Sequence, residues 1–310
     1  MPIVKKDDVM PERPIIAVIY GVPGSGKTSV ATTSDNPLII DCDRGYDRAV
    51  QRVDTVLANT WTDVLQEEQN FRGYKTIVCD TAKSILDDYI QQYVVQNDYK
   101  LQKNTLKRFG AMGEEFKGFI SRLRSLGIDL VFICHDKEVA EGDVIRHAPD
   151  CTGQSKDLLL RIADQVGYIS LINNKRYISF EPDDTHVGKN VGQIPLSEIP
   201  DATEPEFGSF MADVIKKVKE SIQSKSEAQR KANEQLAALR EELAKVETDK
   251  DALTLVGKCA ELPQVLKRPF FMEMQKTLGD KGFNYADGKF IKAKAAKKAE
   301  KKADGEQTSN

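Results

Sequence analysis

The sequence predicts an α/β protein with a mostly parallel, doubly wound sheet, followed by a helical C-terminal extension. Three observations carry that expectation. Apolar runs at 15–20, 37–43, 75–80 and 128–135 are continuous rather than alternating, which is how strands read when both faces of a parallel sheet are covered. Helical stretches separate them, as crossover connections require. The first run leads straight into GVPGSGKTSV at 21–30, the strand, loop and helix context of a phosphate-binding loop.

Taken in order, IIAVIY (15–20) is the first strand, and a short helix from Thr28 gives way at Asn36-Pro37, because a residue before proline is pushed out of the helical region. PLIIDCD (37–43) is a second strand ending in two acids, and a polar helix follows around 61–70. KTIVCD (75–80) is the third strand. An amphipathic helix from about 82 to 98, a basic connection and a helix over 110–126 lead to the fourth strand, IDLVFICH (128–135). GYISLINN and KRYISFEP (167–182) predict later strands joined at Asn173-Asn174, residues that suit a tight hairpin turn.

Around 195–209 three prolines and few apolar residues mark a domain boundary, with a linker at 197–209. From Met211 to Val246 the seam positions alternate steps of four and three, with Lys225 and Gln229 its polar interruptions. This heptad pattern predicts one helix over 210–248, either a coiled-coil or hairpin arm for self-association or a helix packed on its own domain. Residues 249–291 read as a small C-terminal domain with a break at Pro263 and a turn at Asp287-Gly288. The lysine-rich tail, 292–310, is either a solvated end or a weak, salt-sensitive hold on nucleic acid. An N-terminal arm at 1–13 and a nucleotide-binding domain at 14–196 complete the division.

The 310 residues suffice for one α/β domain of about 200 residues and a smaller part. A net charge of −3 selects no partner. No apolar stretch reaches the roughly 18–20 residues of a membrane span, and MPIVKKDDVMPERP has no signal-peptide core, so a cytoplasmic protein with no membrane partner is expected. The five cysteines lack zinc-type spacing and read as small buried residues.

The spacing Gly21-x-x-x-x-Gly26-Lys27-Thr28 gives each residue a task. Gly21, Gly24 and Gly26 let loop amides wrap a β-phosphate, Lys27 reaches the β/γ oxygens, and the Thr28 hydroxyl ligates Mg²⁺. Together with Val22, Pro23, Ser25 and Ser29 they form the candidate nucleotide site, with ATP and Mg²⁺ as expected cofactors. Asp80, ending KTIVCD, fits the acid that sits by the metal, or caps the next helix.

With these motifs in place, the chain resembles the RecA-like ATPases, and within them the short phage-type proteins of single-strand annealing and recombination, over about residues 14–190. In that pattern the strand after the phosphate loop ends in Asp-x-Glu, matched here by Asp41-Cys42-Asp43. The resemblance implies that Asp43, one methylene shorter than the usual Glu, positions the attacking water, and that Asp41 could share the role. VFICH (131–135) resembles the strand ending in a polar γ-phosphate sensor, which implies that role for His135, a neutral imidazole having one N–H to donate. A histidine that merely caps the strand is the other reading. Relatives that form rings or filaments send a cation into the neighbouring site, implying a homo-oligomer, with Lys189 the first candidate and Arg176 the second.

DNA in such proteins lies along loops after the third and fourth strands. YKLQKNTLKRFG (99–110) holds Lys100, Lys103, Lys107 and Arg108 with no acid, between Tyr99 and Phe109. Phosphates attract such cations and unstacked bases such rings; a solvated basic linker is the competing account. The segment after His135 is rich in acids and departs from a basic cradle. The leading expectation is an ATP-binding, ATP-hydrolysing protein acting on single-stranded DNA in phage-type recombination or annealing, in the cytoplasm of a bacterial host. The alternative is an ATP-regulated assembly or loader protein that binds a single-strand-binding, replication or packaging partner. A small-molecule kinase is disfavoured, since no lid or acceptor signature is evident and an acid-bearing second strand suits water activation.

Overall fold

The computed structural model describes residues 9, 11–45, 47, 49–141, 144–151, 153–224, 227–286 and 288–292. They fall into two compact units, one spanning Glu12–Ser224 and one formed by the described residues before and after it.

In the larger unit the strands are β1 (Ile16–Gly21), β2 (Pro37–Asp41), β3 (Asp54–Val56), β4 (Thr76–Asp80), β5 (Asp129–Glu141), β6 (Val144–Asp150), β7 (Gln165–Ile172), β8 (Lys175–Ser179), β9 (Lys189–Asn190) and β10 (Ser197–Glu198). Among the described residues they form one sheet in the order β10-β8-β7-β1-β5-β4-β2-β3, with β6 beside β5 and β9 beside β7. From β7 to β3 every neighbouring pair is parallel. The helices are α1 (Lys27–Ala31), α2 (Trp61–Glu67), α3 (Ala82–Ser84), which runs through a π turn (Ile85–Ile90) into α4 (Gln91–Asn97), α5 (Thr105–Ser125), α6 (Gly153–Ile162) and α7 (Phe210–Gln223).

Both faces of the sheet are covered, which is why its strands read as unbroken apolar runs. Along β1 the period of two sends Ile16, Val18 and Tyr20 into one cluster with Trp61, Leu86, Phe116, Phe119 and Phe132. Ala17 and Ile19 go into the other, with Val30, Val131, Ile133, Met211, Ile215 and Val218. Helix α7 therefore belongs to the core of the larger unit.

Several boundaries differ from the sequence expectation, each for a packing reason. The helix expected over 110–126 begins at Thr105, because Asn104 caps it by accepting from the Lys107 amide at 3.0 Å. The basic connection is thus a 3₁₀ turn (Tyr99–Gln102) and the first turn of α5. Beyond His135 the chain does not loop; β5 continues to Glu141 and pairs antiparallel with β6. Tyr20 holds this hairpin by donating to the Val187 carbonyl at 2.6 Å and the His147 carbonyl at 3.2 Å. The rings of His147, Tyr168 and His186 stack beside it.

The linker expected at 197–209 lies inside the larger unit, where β10 pairs with β8 and Phe207 is fully buried. The division falls after Ser224. The single helix expected over 210–248 is two, α7 and α8 (Glu227–Lys245), since each half of the seam finds its own apolar partner. In the second unit Leu239 and Leu243 of α8, with Val246 just beyond it, pack with α9 (Asp249–Ala260), α10 (Gln264–Asp280) and the hairpin β11 (Phe283–Ala286) and β12 (Lys289–Lys292). Of the expected N-terminal arm and lysine-rich tail, residues 1–8, 10 and 293–310 lie outside the described residues.

Candidate phosphate and metal site

The site is built where the parallel strands end. Gly21 closes β1, aligned with Ile169 of β7 and His135 of β5. A Cβ on Gly21 would stand 2.6 Å from the Ile169 carbonyl oxygen, so the approach of β7 admits only glycine. Gly24 and Gly26 take φ of 79° and 86°, the left-handed turn that folds the loop back on itself before α1. Lys27 returns over the loop and donates to the carbonyls of Gly21 at 3.0 Å and Val22 at 2.9 Å. Burial lowers its pKa, against the pull of Asp80 and Asp136. The buried Ser25 hydroxyl has no hydrogen-bond partner among the described residues.

Across the sheet edge Asp41 aligns with Asp80, and Asp80 with Ile133 two residues before His135. The Thr28 hydroxyl donates to Asp80 Oδ2 at 2.7 Å. The Asp80 carboxyl is pushed up to about 6, first by burial and further by Asp43 and Asp41, while the Thr28 bond and the Lys27 charge oppose the rise. Asp41 is buried and accepts from the Asp43 amide at 3.1 Å, which fixes the turn after β2. Asp43 reaches the solvent edge, where Oδ1 accepts from the Ser84 hydroxyl and Oδ2 lies 3.7 Å from His135 Nε2.

Lys27, Thr28, Asp41, Asp43, Asp80 and His135 are thus brought together at one sheet edge. Lys189 is not among them. Its ammonium is held by the Arg161 carbonyl at 3.1 Å and the Leu160 carbonyl at 3.5 Å, at the C-terminal end of α6. Lys100 and Lys103 are exposed on or beside the 3₁₀ turn, and Lys107 and Arg108 lie in the first turn of α5. Tyr99 beside them is 70% exposed. Sequence reasoning missed Ser84, which holds Asp43 from the start of the helical run after β4, and Asp136, whose carboxylate meets His147 Nδ1 at 2.6 Å. A serine four residues after a strand-ending acid is also what an ordinary helix start shows, so no local signal marked it.

Residues 13–191 match a family model described as an AAA domain, and the chain belongs to that family. No curated protein sequence matches it. Among solved structures, a RadB recombinase aligns over 56% of this chain and 86% of its own, at 9% identity and a TM-score of 0.35. A KaiC-like protein from the hyperthermophilic archaeon Pyrococcus horikoshii OT3 aligns over 54% of this chain and 77% of its own, at 14% identity and a TM-score of 0.32. The larger unit carries the AAA domain, an ATP-binding ATPase fold with a mostly parallel sheet, and a helical C-terminal region follows it. No helix among the described residues is long and apolar enough to cross a membrane.

Proposed function

We propose that the protein is a cytoplasmic, Mg²⁺-dependent ATPase that acts as a homo-oligomer on single-stranded DNA, in phage-type recombination or annealing. The observation that carries the catalytic part is the meeting of Thr28 and Asp80 at 2.7 Å beside Lys27, with Asp43 and His135 3.7 Å apart at the same edge. A hydroxyl and a buried carboxylate, with two further carboxylates nearby, are the hard oxygen donors that suit Mg²⁺, and a cation there offsets the burial and the neighbouring carboxylates that raise Asp80. Thr28 and Asp80 would hold the ion, which when bound draws charge off the phosphate oxygens.

The chain's own residues do the rest. Loop amides and Lys27 hold the phosphates in line. Asp43, with one oxygen fixed by Ser84, keeps the other for the attacking water and takes its proton, and His135 Nε2 donates toward the γ-phosphate. Asp41 is a positioning residue, since its carboxylate is occupied with the Asp43 amide.

The DNA part rests on Lys100, Lys103, Lys107 and Arg108. The first turn of α5 has no acid, and two cations beside the positive end of a helix oppose its dipole; an anion bound there removes the conflict. ATP turnover measured with and without single-stranded DNA, at one stated salt concentration, tests the whole reading, because phosphate contacts weaken steeply with salt. A Mg²⁺-dependent rate that rises with DNA is expected. No hydrolysis with Mg²⁺ present overturns the ATPase, and a rate indifferent to DNA favours a loader that acts through a protein partner.

A further inference from the structure

Two neighbouring cations on β8 have different surroundings. Lys175 donates to Glu198 at 2.6 Å, and Tyr177, two residues on and so on the same face, donates to it at 3.1 Å. Arg176 points to the opposite face with Ile178, which packs in the cluster containing Val30 of α1. That face carries the phosphate loop. The Arg176 Nη1 atom lies 2.8 Å from where a Cβ on Gly26 would stand. Gly26 is glycine for its φ of 86°, and the Arg176 guanidinium lies beside it.

The backbone that presents Arg176 is pinned on both sides. It pairs with Leu171 of β7, two residues beyond the Ile169 that borders Gly21. Its carbonyl accepts from the Ile199 amide at 2.8 Å. Among the described residues its guanidinium makes no hydrogen bond or ion pair within contact distance. Asp201, whose carboxyl is lowered first by hydrogen bonds from Thr203, only feels its charge. A planar five-donor cation, fixed from a strand and lacking an acceptor, thus lies over the loop whose amides cradle α- and β-phosphates.

We infer that Arg176 is a phosphate ligand acting within its own chain, gripping the α/β-phosphate portion that ADP and ATP share. The inference rests on the nucleotide site proposed above and assigns it a residue from outside the loop motif. It also differs from a cation lent by a neighbouring subunit, because the guanidinium already lies beside Gly26 of the same chain.

The test is the affinity of fluorescent ADP and ATP analogues for the full-length chain, its Lys27→Ala variant and two Arg176 variants. Losing a charged hydrogen-bonding partner should weaken Arg176→Ala about 10–100-fold toward both nucleotides. Arg176→Lys should recover part of the loss, since it keeps the charge without the fork. In steady-state turnover the defect should fall on KM more than on kcat, as for a contact made equally in ground and transition states. Equimolar mixing of Lys27→Ala with Arg176→Ala chains should restore nothing. Unchanged affinity in Arg176→Ala, while wild type binds and Lys27→Ala does not, overturns this inference alone. Recovery on mixing overturns action within one chain, and a wild-type chain that binds neither nucleotide overturns the site as well.

Discussion

Asp80 is the residue where stability and function pull apart. Its carboxylate is buried among Asp41 and Asp43, and its pKa rise to about 6 means that at pH 7.5 the apo protein holds an ionised group its surroundings disfavour. Asp80→Asn keeps an oxygen to accept from Thr28 and removes the charge. The variant should be more stable than wild type without nucleotide, by about 1–3 kcal/mol on the scale of 1.36 kcal/mol per pKa unit, a Tm gain of a few degrees. Mg²⁺-dependent nucleotide binding should be lost with it. A lower Tm for the folded variant would mean that the carboxylate is held by contacts other than these. Asp43→Asn, by contrast, should leave ATP affinity nearly intact and lower turnover, since it removes the base and keeps the shape. Were Asp41→Asn to abolish turnover and Asp43→Asn to spare it, the water-positioning acid would be the buried one. Asp41, Asp43, Asp80 and His135 were legible in the sequence because each stands at the carboxyl end of an apolar run, where ligands collect in open sheets. Ser84 and the reach of Arg176 were not, since both contacts join residues more than 40 positions apart, Asp43 with Ser84 and Gly26 with Arg176, and exist only once the sheet has formed.

At the scale of elements, α7 and the first turn of α5 show how the same pattern admits two structures. A heptad seam is satisfied by a partner helix or by any apolar surface of similar width, and here Met211 and Ile215 meet the sheet while Leu239 and Leu243 meet α9 and α10. Met211→Ala should therefore destabilise the nucleotide-binding unit by about 2–5 kcal/mol, as large-to-small core changes do, whereas Leu243→Ala should leave nucleotide affinity unchanged and lower the unfolding transition of the second unit. Equal loss of nucleotide affinity in both variants would argue that one core, not two, supports the site. For α5, Lys107→Glu converts an unfavourable charge at the helix N-terminus into a favourable one. It should stabilise the helix by about 0.3–1 kcal/mol and weaken single-stranded DNA binding, measured by thermal melting and fluorescence anisotropy on one sample. The start of α5 at Thr105 escaped the sequence reading because Asn104 is followed by cations rather than by the acid that usually marks a capping box.

Over the whole of the larger unit, the Asp80 end of β4 and the basic turn belong to one continuous path. Asp80 ends β4, the helical run from Ala82 to Asn97 follows it, and the 3₁₀ turn with Lys100 delivers the chain to the first turn of α5. Helix α5 then returns across the sheet, its Phe116 ring edge-on to Phe132 of β5 at 5.5 Å, three residues before His135. The cation cluster is thus joined to the phosphate edge at both ends, through β4 and through β5. If single-stranded DNA holds Lys103, Lys107 and Arg108 better in the ATP-bound state, ATP must by reciprocity bind better to the DNA-bound protein. Coupling of this kind is typically about 1–3 kcal/mol, or about 5–150-fold in affinity. Replacing all three with Ala should abolish the effect of DNA on nucleotide affinity and leave DNA-free affinity alone, because none of them touches the loop, Thr28 or Asp80. The same variant should keep its Tm or raise it slightly, since these side chains carry little of the core and two of them oppose the α5 dipole. A triple variant that retained full DNA-stimulated ATPase would show that the turn is a solvated connection and that DNA lies elsewhere on the molecule.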